Sequence, residues 1–255
     1  MKRVLRAIAV PFLALILWEL AGWTVFTPGD TTARPSGVVV ALATVLRDGS
    51  LATATFETLV TAALGFAIAA VVGLAIGIPL GLSRVLRGIA SPAIEMLRPI
   101  PSVALIPLGL LIFGFGVRME VMIVAFACVW PVLLVAISAV RGIEPRPIEV
   151  ARALELGSFE RARKIVLPFV LPRLFVGFRL AAGIALVVAV TVEIAVNPQG
   201  VGYALMLAQQ NLRPDLAYGF LIWIGVLGWL LNVILQLVER RYFARFLAAT
   251  WAERK

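Results

Sequence analysis

The stretch from Glu144 to Pro172, EPRPIEVARALELGSFERARKIVLPFVLP, is a polar, basic island between long apolar runs. Its first part has helical spacing, with Ile148, Ala151 and Leu154 or Glu155 on one face. A second amphipathic piece puts Phe159, Ala162, Ile165 and Val166 on one side and Glu160, Arg161, Arg163 and Lys164 on the other. Pro168 and Pro172 stop it, since each lacks a backbone donor and restricts the residue before it. The expectation is two short helices meeting at a turn, a compact knob on a membrane surface. Composition alone fits an ordinary loop rich in Lys and Arg equally well.

Outward from this island the chain is apolar. Of its 255 residues 62% are hydrophobic and 15% charged, and the mean hydropathy is +1.02. A soluble domain averages roughly 45–50% apolar and 25% charged, so this is an integral membrane protein. The apolar runs predict six membrane helices, near residues 4–24, 58–82, 99–116, 121–140, 174–196 and 216–238, in one all-α domain over 1–255. The basic N-terminus is read as a retained first span: the apolar run continues to Trp23 and lacks a small-x-small cleavage site. With both termini on the cytoplasmic side, nineteen of the 23 Lys and Arg residues face the cytoplasm, leaving Arg34, Arg47, Arg118 and Arg213 outside. That asymmetry is the positive-inside bias. It accounts for the net charge of +9 through orientation and anionic lipid, without nucleic acid.

Several positions within the spans invite a role. Glu19 lies one turn from the end of the first span and reads either as a functional acid or as a group reaching the interface. Residues 25–56 read as an extramembrane loop with a short surface helix. In the second span Gly65, Ala69, Gly73, Gly77 and Gly81 recur every four residues, a stripe that lets another helix approach closely. Arg84, Arg87 and Arg98 form a short basic stretch. Pro99, Pro101 and Pro107 then break the third span, which survives in lipid only where protein or a water-filled cavity satisfies the freed carbonyls. Arg118 and Glu120 read as a very short connection. Glu193, four residues before Asn197, is either a pathway residue or an anchor for the Asn197–Gly202 turn.

Glu149-Val150-Ala151 followed by Ile165-Val166-Leu167-Pro168 resembles the EAA loop of ATP-binding-cassette importer permeases. The spacing to Ile165, Leu167 and Pro168 matches. The departures are Val150 for the middle alanine and Glu155 where the pattern has glycine, with Gly157 nearby as a substitute source of permissive backbone. The phrase over residues 97–116, and Glu193 with Gly200-Val201-Gly202-Tyr203, resemble the nitrate, sulfonate and taurine branch of these importers. The resemblance covers roughly residues 55 to 245. It implies a type I importer permease fold with a cytoplasmic coupling helix pair within residues 144–172. It also implies that Glu149, Val150, Ala151, Arg152, Leu154, Glu155 and Gly157 meet an ATPase subunit, and that Ile165, Leu167 and Pro168 fix the pair to span five. Pro99, Pro101, Ser102, Pro107, Glu193 and Asn197 become candidates for the pathway. The implied partners are a second permease copy, two cytoplasmic ATPases and a periplasmic or lipid-anchored solute-binding protein in a bacterial inner membrane.

Other chemistries lack their residues. No G-x-x-x-x-G-K-[ST] phosphate loop is present, so the chain is expected to be non-catalytic and free of cofactors, with ATP and Mg bound by the partner ATPase. There is no histidine, which removes Ser-His, Cys-His and His-ligated metal chemistry. Cys128 sits alone in an apolar run, and Lys2, Lys164 and Lys255 are all away from membrane depth. An ion- or proton-coupled secondary transporter is the alternative, with Glu19 and Glu193 its only candidate sites. The solute is left open among sulfonate, taurine, nitrate, a thiamine precursor and an aromatic acid.

Overall fold

The computed structural model describes residues 2–24, 32–143, 155–157, 160 and 167–252, and these are mostly helical, with no strand among them. In chain order the helices are α1 (Lys2–Thr24), α2 (Pro35–Arg47), α3 (Ser50–Leu82) and α4 (Arg84–Leu97). A 3-10 turn, Ser102–Leu105, leads into α5 (Ile106–Phe113), followed by α6 (Val117–Arg141). The remainder is α7 (Leu167–Ala195), α8 (Gly200–Gln210) and α9 (Pro214–Ala252).

The centre of the fold is the pairing of α3 with α6, and the glycine stripe makes it. A Cβ on Gly73 would stand 2.7 Å from Val132, on Gly77 2.7 Å from Ala136, and on Gly81 2.7 Å from Val140. Gly65 faces Val124 in the same way. Each pair is separated by 59 residues, as are Thr61 and Glu120, which share a hydrogen bond. A constant offset of that sign means that the two helices run parallel, residue for residue. The stripe is therefore a helix-packing face.

Parallel packing has a topological consequence. Leu82 ends level with Arg141, and Val117 starts level with Thr58, so residues 83–116 must travel back along the full length of the pair. They do so as a broken element: α4 and the Ser102–Phe113 segment meet at 82°. The expected third span, 99–116, is thus not one helix. Pro99 and Pro101 deny continuation to α4, and Gly114 and Gly116, at φ +72° and +110°, end α5. Counting by length and apolarity, the described residues hold four spanning helices, or five if the bent pair is one span.

Other boundaries differ from expectation for identifiable reasons. The second span begins at Ser50, eight residues before the expected Thr58, because Asp48 accepts hydrogen bonds from the amide and hydroxyl of Ser50 at the helix start. The basic stretch after it is a full amphipathic helix, α4. Gly200-Val201-Gly202-Tyr203, the first three of which fall in the expected Asn197–Gly202 turn, open a helix, α8, that runs to Gln210.

The core between α3, α6 and α7 is built of small residues: Ala69, Val124, Cys128, Val132, Ala181, Ala185 and Ala189. The Cys128 thiol donates to the Ala181 carbonyl at 3.2 Å, and Phe66 meets Phe178 edge to face. A second cluster joins α7, α8 and α9 through Val190, Val201, Leu205, Leu216 and Phe220. Arg179 ties α7 to α9 by donating to Asn232 at 2.9 Å and pairing with Glu239 at 3.5 Å. Leu221, Trp229 and Ile234 of α9 are exposed, as suits a helix whose solvent is lipid.

Candidate functional site

Two constructions stand out, one at each end of the α3–α6–α7 bundle. The first begins with Glu120, which is fully buried in the opening turn of α6. This corrects its reading as part of an external connection: the parallel packing draws the start of α6 against α3. Thr61 donates to its Oε1 at 2.5 Å, and Asn197 Nδ2 donates to its Oε2. The Thr61 hydroxyl also lies near the carbonyls of Glu57 and Thr58. It has one proton to give, and the shortest contact is to Glu120.

Around this pair the start of α8 is held by three side chains. The Gly200 amide donates to Glu57 Oε2 at 2.9 Å, the Val201 amide to Thr58 Oγ1 at 2.9 Å, and the Gly202 amide to Glu193 Oε2 at 2.8 Å. These are the first amides of the helix, which have no intrahelical acceptor. The glycines follow from that geometry. Gly200 has φ +85°, and a Cβ there would run into the Glu193 carboxylate, while one on Gly202 would run into the Val190 carbonyl and the Glu193 side chain. Glu193 and Asn197, both buried, therefore hold the Asn197–Gly202 turn, with Asn197 Oδ1 left without a hydrogen-bond partner among the described residues. Among the described residues no Lys or Arg pairs with Glu57, Glu120 or Glu193, and no group of His, Cys, Asp or Glu is arranged to hold a metal.

The second construction closes the neck of the 144–166 segment. Arg173 of α7 donates to the Gly142 carbonyl, just past the end of α6, at 2.8 Å. Its guanidinium also lies 5.0 Å over the ring of Phe169. A side chain on Gly142 would collide with Arg173. Beneath the clamp, Ile143, Val170 and Leu174 are buried against Ala136, Ala139 and Val140. Both ends of the segment are thus fastened to one packed pair of helices.

Of the residues expected to couple, Glu149, Val150, Ala151, Arg152, Leu154 and Ile165 lie outside the described residues. Leu167 and Pro168 open α7, where proline is tolerated because first-turn amides have no intrahelical acceptor. Glu155, at the position where the loop pattern has glycine, itself adopts the left-handed region at φ +53°. Gly157 does not, so the permissive backbone has not moved to it.

The pathway candidates fall into two sets on separate elements. Pro99 and Pro101 flank the bend between α4 and α5, Pro107 is in the first turn of α5, all three exposed, and Ser102 is half-buried. Glu193 and Asn197 belong to the buried knot. Glu19 is an anchor: it accepts from Trp23 at 3.0 Å and from the Ser36 hydroxyl and amide at 2.7 and 3.0 Å, pinning α2 to α1. Sequence reasoning missed Glu57, Thr58, Thr61 and Glu120, whose partners lie 59 to 143 residues away.

Comparison with known proteins places this geometry among relatives. Residues 69–247 match the family described as the binding-protein-dependent transport system inner membrane component. A protein of Bacillus subtilis named as an aliphatic sulfonates transport permease, SsuC, is 30% identical over 93% of this chain and 86% of its own length. The bicarbonate transport system permease protein CmpB of Synechococcus elongatus is 30% identical over 94% of this chain and 91% of its own. Among solved structures, an inward-facing MetNI methionine ABC transporter superposes with a TM-score of 0.67 at 20% identity. That match covers 75% of this chain and 95% of the other.

Proposed function

Because the chain belongs to the binding-protein-dependent transport system inner membrane component family, we propose that two identical copies of it enclose one import pathway, driven by two separate ATPase chains. The chain is a multi-pass inner-membrane permease of an ABC importer, a transport component in the branch of the sulfonate, taurine and bicarbonate permeases. In our reading it crosses the membrane six times with both termini cytoplasmic. Helix α1 is the first crossing and the bent α4–α5 element the third. An external solute-binding protein delivers a small oxyanion such as a sulfonate, the class named for its relatives. The chain itself holds no cofactor, and ATP and Mg belong to the partner.

The clamp at the neck carries this reading. A segment fastened at both ends to α6 and α7 transmits a push to both helices together. Since α3 is zipped to α6, it follows them. ATP binding draws the two ATPases together and displaces residues 144–166, with Glu149, Ala151, Arg152 and Leu154 in the ATPase groove. The bundle then switches between two packed arrangements, the partner's binding energy selecting one.

The test is affinity capture of the tagged chain in mild detergent, with native mass spectrometry of what it brings. Two copies of this chain with two ATPase chains are expected. Recovery of the chain alone, even after cross-linking through a cysteine at Glu149, would overturn the reading. Orientation is checked separately by labelling introduced cysteines. Buried Cys128 is a silent background, and Ser83→Cys should react from the cytoplasm and Asn211→Cys from outside.

A further inference from the structure

A cavity of about 620 Å³ lies between α4 and the last turns of α6. Three arginines line it: Arg87 from α4, Arg98 from its C-terminal cap, and Arg141 from the end of α6. Arg87 is half-buried, and one of its nitrogens donates to the Leu80 and Gly81 carbonyls at 3.1 and 3.4 Å, which fixes its guanidinium at the cavity wall. Arg98 and Arg141 have no side-chain partner among the described residues. Among the described residues the single carboxylate on the wall is Glu95, and no ion pair within 4 Å joins it to any of the three. The cavity thus concentrates three positive charges against one negative. The rest of its wall is Ile94, Pro99, Leu134 and Ile137, apolar, with the hydroxyl residue Ser91.

We infer that this cavity binds a tetrahedral oxyanion, a phosphate or sulfonate group, carrying an apolar appendage. The guanidinium fork matches two oxygens of such a group at once, and forks from separate helices can share one anion. The apolar wall suits carbon attached to it. Two sources supply this chemistry: the headgroup of an anionic phospholipid, since basic pockets between membrane helices on the cytoplasmic side take such headgroups, and a soluble alkylsulfonate. That the cavity opens to the cytoplasmic leaflet rests on the orientation proposed above. The chemistry of the cavity does not, and a measurement in detergent reads it whichever way the chain inserts.

The experiment is native mass spectrometry of the full chain in neutral detergent, titrated with phosphatidylglycerol or phosphatidylcholine, with and without excess sodium ethanesulfonate. The variants are Arg98→Gln, Arg141→Gln and the pair. Arg87 is left intact because it also serves the end of α3. Preferential retention of phosphatidylglycerol is expected, reduced about fivefold by either substitution and about thirtyfold by both. Retention unmoved by ethanesulfonate assigns the site to lipid; displacement by it assigns the soluble anion. Arg98→Lys, which keeps the charge, should retain more of the preference than Arg98→Gln. If the wild type prefers neither phosphatidylglycerol nor ethanesulfonate, the inference is overturned. It is equally overturned if the preference survives in the pair with helicity unchanged. Should the pair lose helicity, the single variants carry the same two outcomes.

Discussion

Replacing Arg173 with Gln tests the clamp directly. The variant loses a charge-assisted hydrogen bond to the Gly142 carbonyl, worth about 1.5–3 kcal/mol, and a stacking contact on Phe169, worth about 0.5–1 kcal/mol at an exposed site. Arg173 is exposed, so solvent screening takes the sum to or below its lower end of about 2 kcal/mol, for a total of about 1–2 kcal/mol. That raises the population of an opened neck by about five- to thirtyfold. Global stability should change little, because Ile143, Val170 and Leu174 stay buried. The assay is reconstitution in proteoliposomes with the ATPase and the binding protein, measuring solute imported per ATP hydrolysed. Hydrogen exchange over residues 167–174 runs in parallel. The ratio should fall while ATP hydrolysis persists, and Arg173→Lys should lie between. If exchange shows the neck opened and the import ratio is unchanged, the clamp is not the transmitting element.

Glu155→Gly should raise stability by about 0.5–1 kcal/mol, since a left-handed residue costs roughly 1–2 kcal/mol and part is returned as glycine's extra freedom when unfolded; slower exchange at 155–157 would register it, and faster exchange would refute it. Gly77→Val should separate α3 from α6, because the Cβ alone stands 2.7 Å from Ala136 and 2.9 Å from the Leu133 carbonyl; overpacking of about 1–3 kcal/mol should lower the Tm in detergent. Asn197→Ala removes a donor from buried Glu120, at about 1–3 kcal/mol, and a thermal scan matching wild type would show that the knot is not structural. Hydrogen bonds from the Ser50 hydroxyl and amide hold the Asp48 carboxyl below its ordinary value of 3.8. The start of α3 therefore keeps this contribution above that pH and loses it as the pH falls through the depressed value. Exchange at residues 50–53 should rise in that acid range, and Ser50→Ala should diminish the rise.

The apolar runs made α3, α6, α7 and α9 legible, because lipid demands length and hydropathy that few other contexts do. The glycine stripe announced a close helix contact but not its partner, since four-residue spacing carries no information about what lies opposite. Glu120 was invisible for a different reason. It follows Arg118 at the edge of an apolar run, the usual setting of a loop charge, while Thr61 and Asn197 lie far off in sequence. Helix α8 hid behind its own cap, because Gly200 and Gly202 are there to clear Glu193 and glycines otherwise read as turn formers. For α4 the charges masked a helix whose exposed Ile89 and Met96 suit an interface. The loop that carries the family resemblance lies mostly outside the described residues, while its two ends and the left-handed Glu155 lie within them.

The constant offset between α3 and α6 dictates where this chain can change length. One residue inserted within α6 would turn everything beyond it by about 100° and advance it by about 1.5 Å. Val132, Ala136 and Val140 would then leave Gly73, Gly77 and Gly81 for the wider residues between them. An insertion at Pro99–Pro101 or Gly114–Gly116 disturbs no such pairing, because both helices keep their own phase. Length variation should therefore collect at those two breaks, with Thr61–Gly81 and Glu120–Val140 held to a fixed count as the two halves of one ruler.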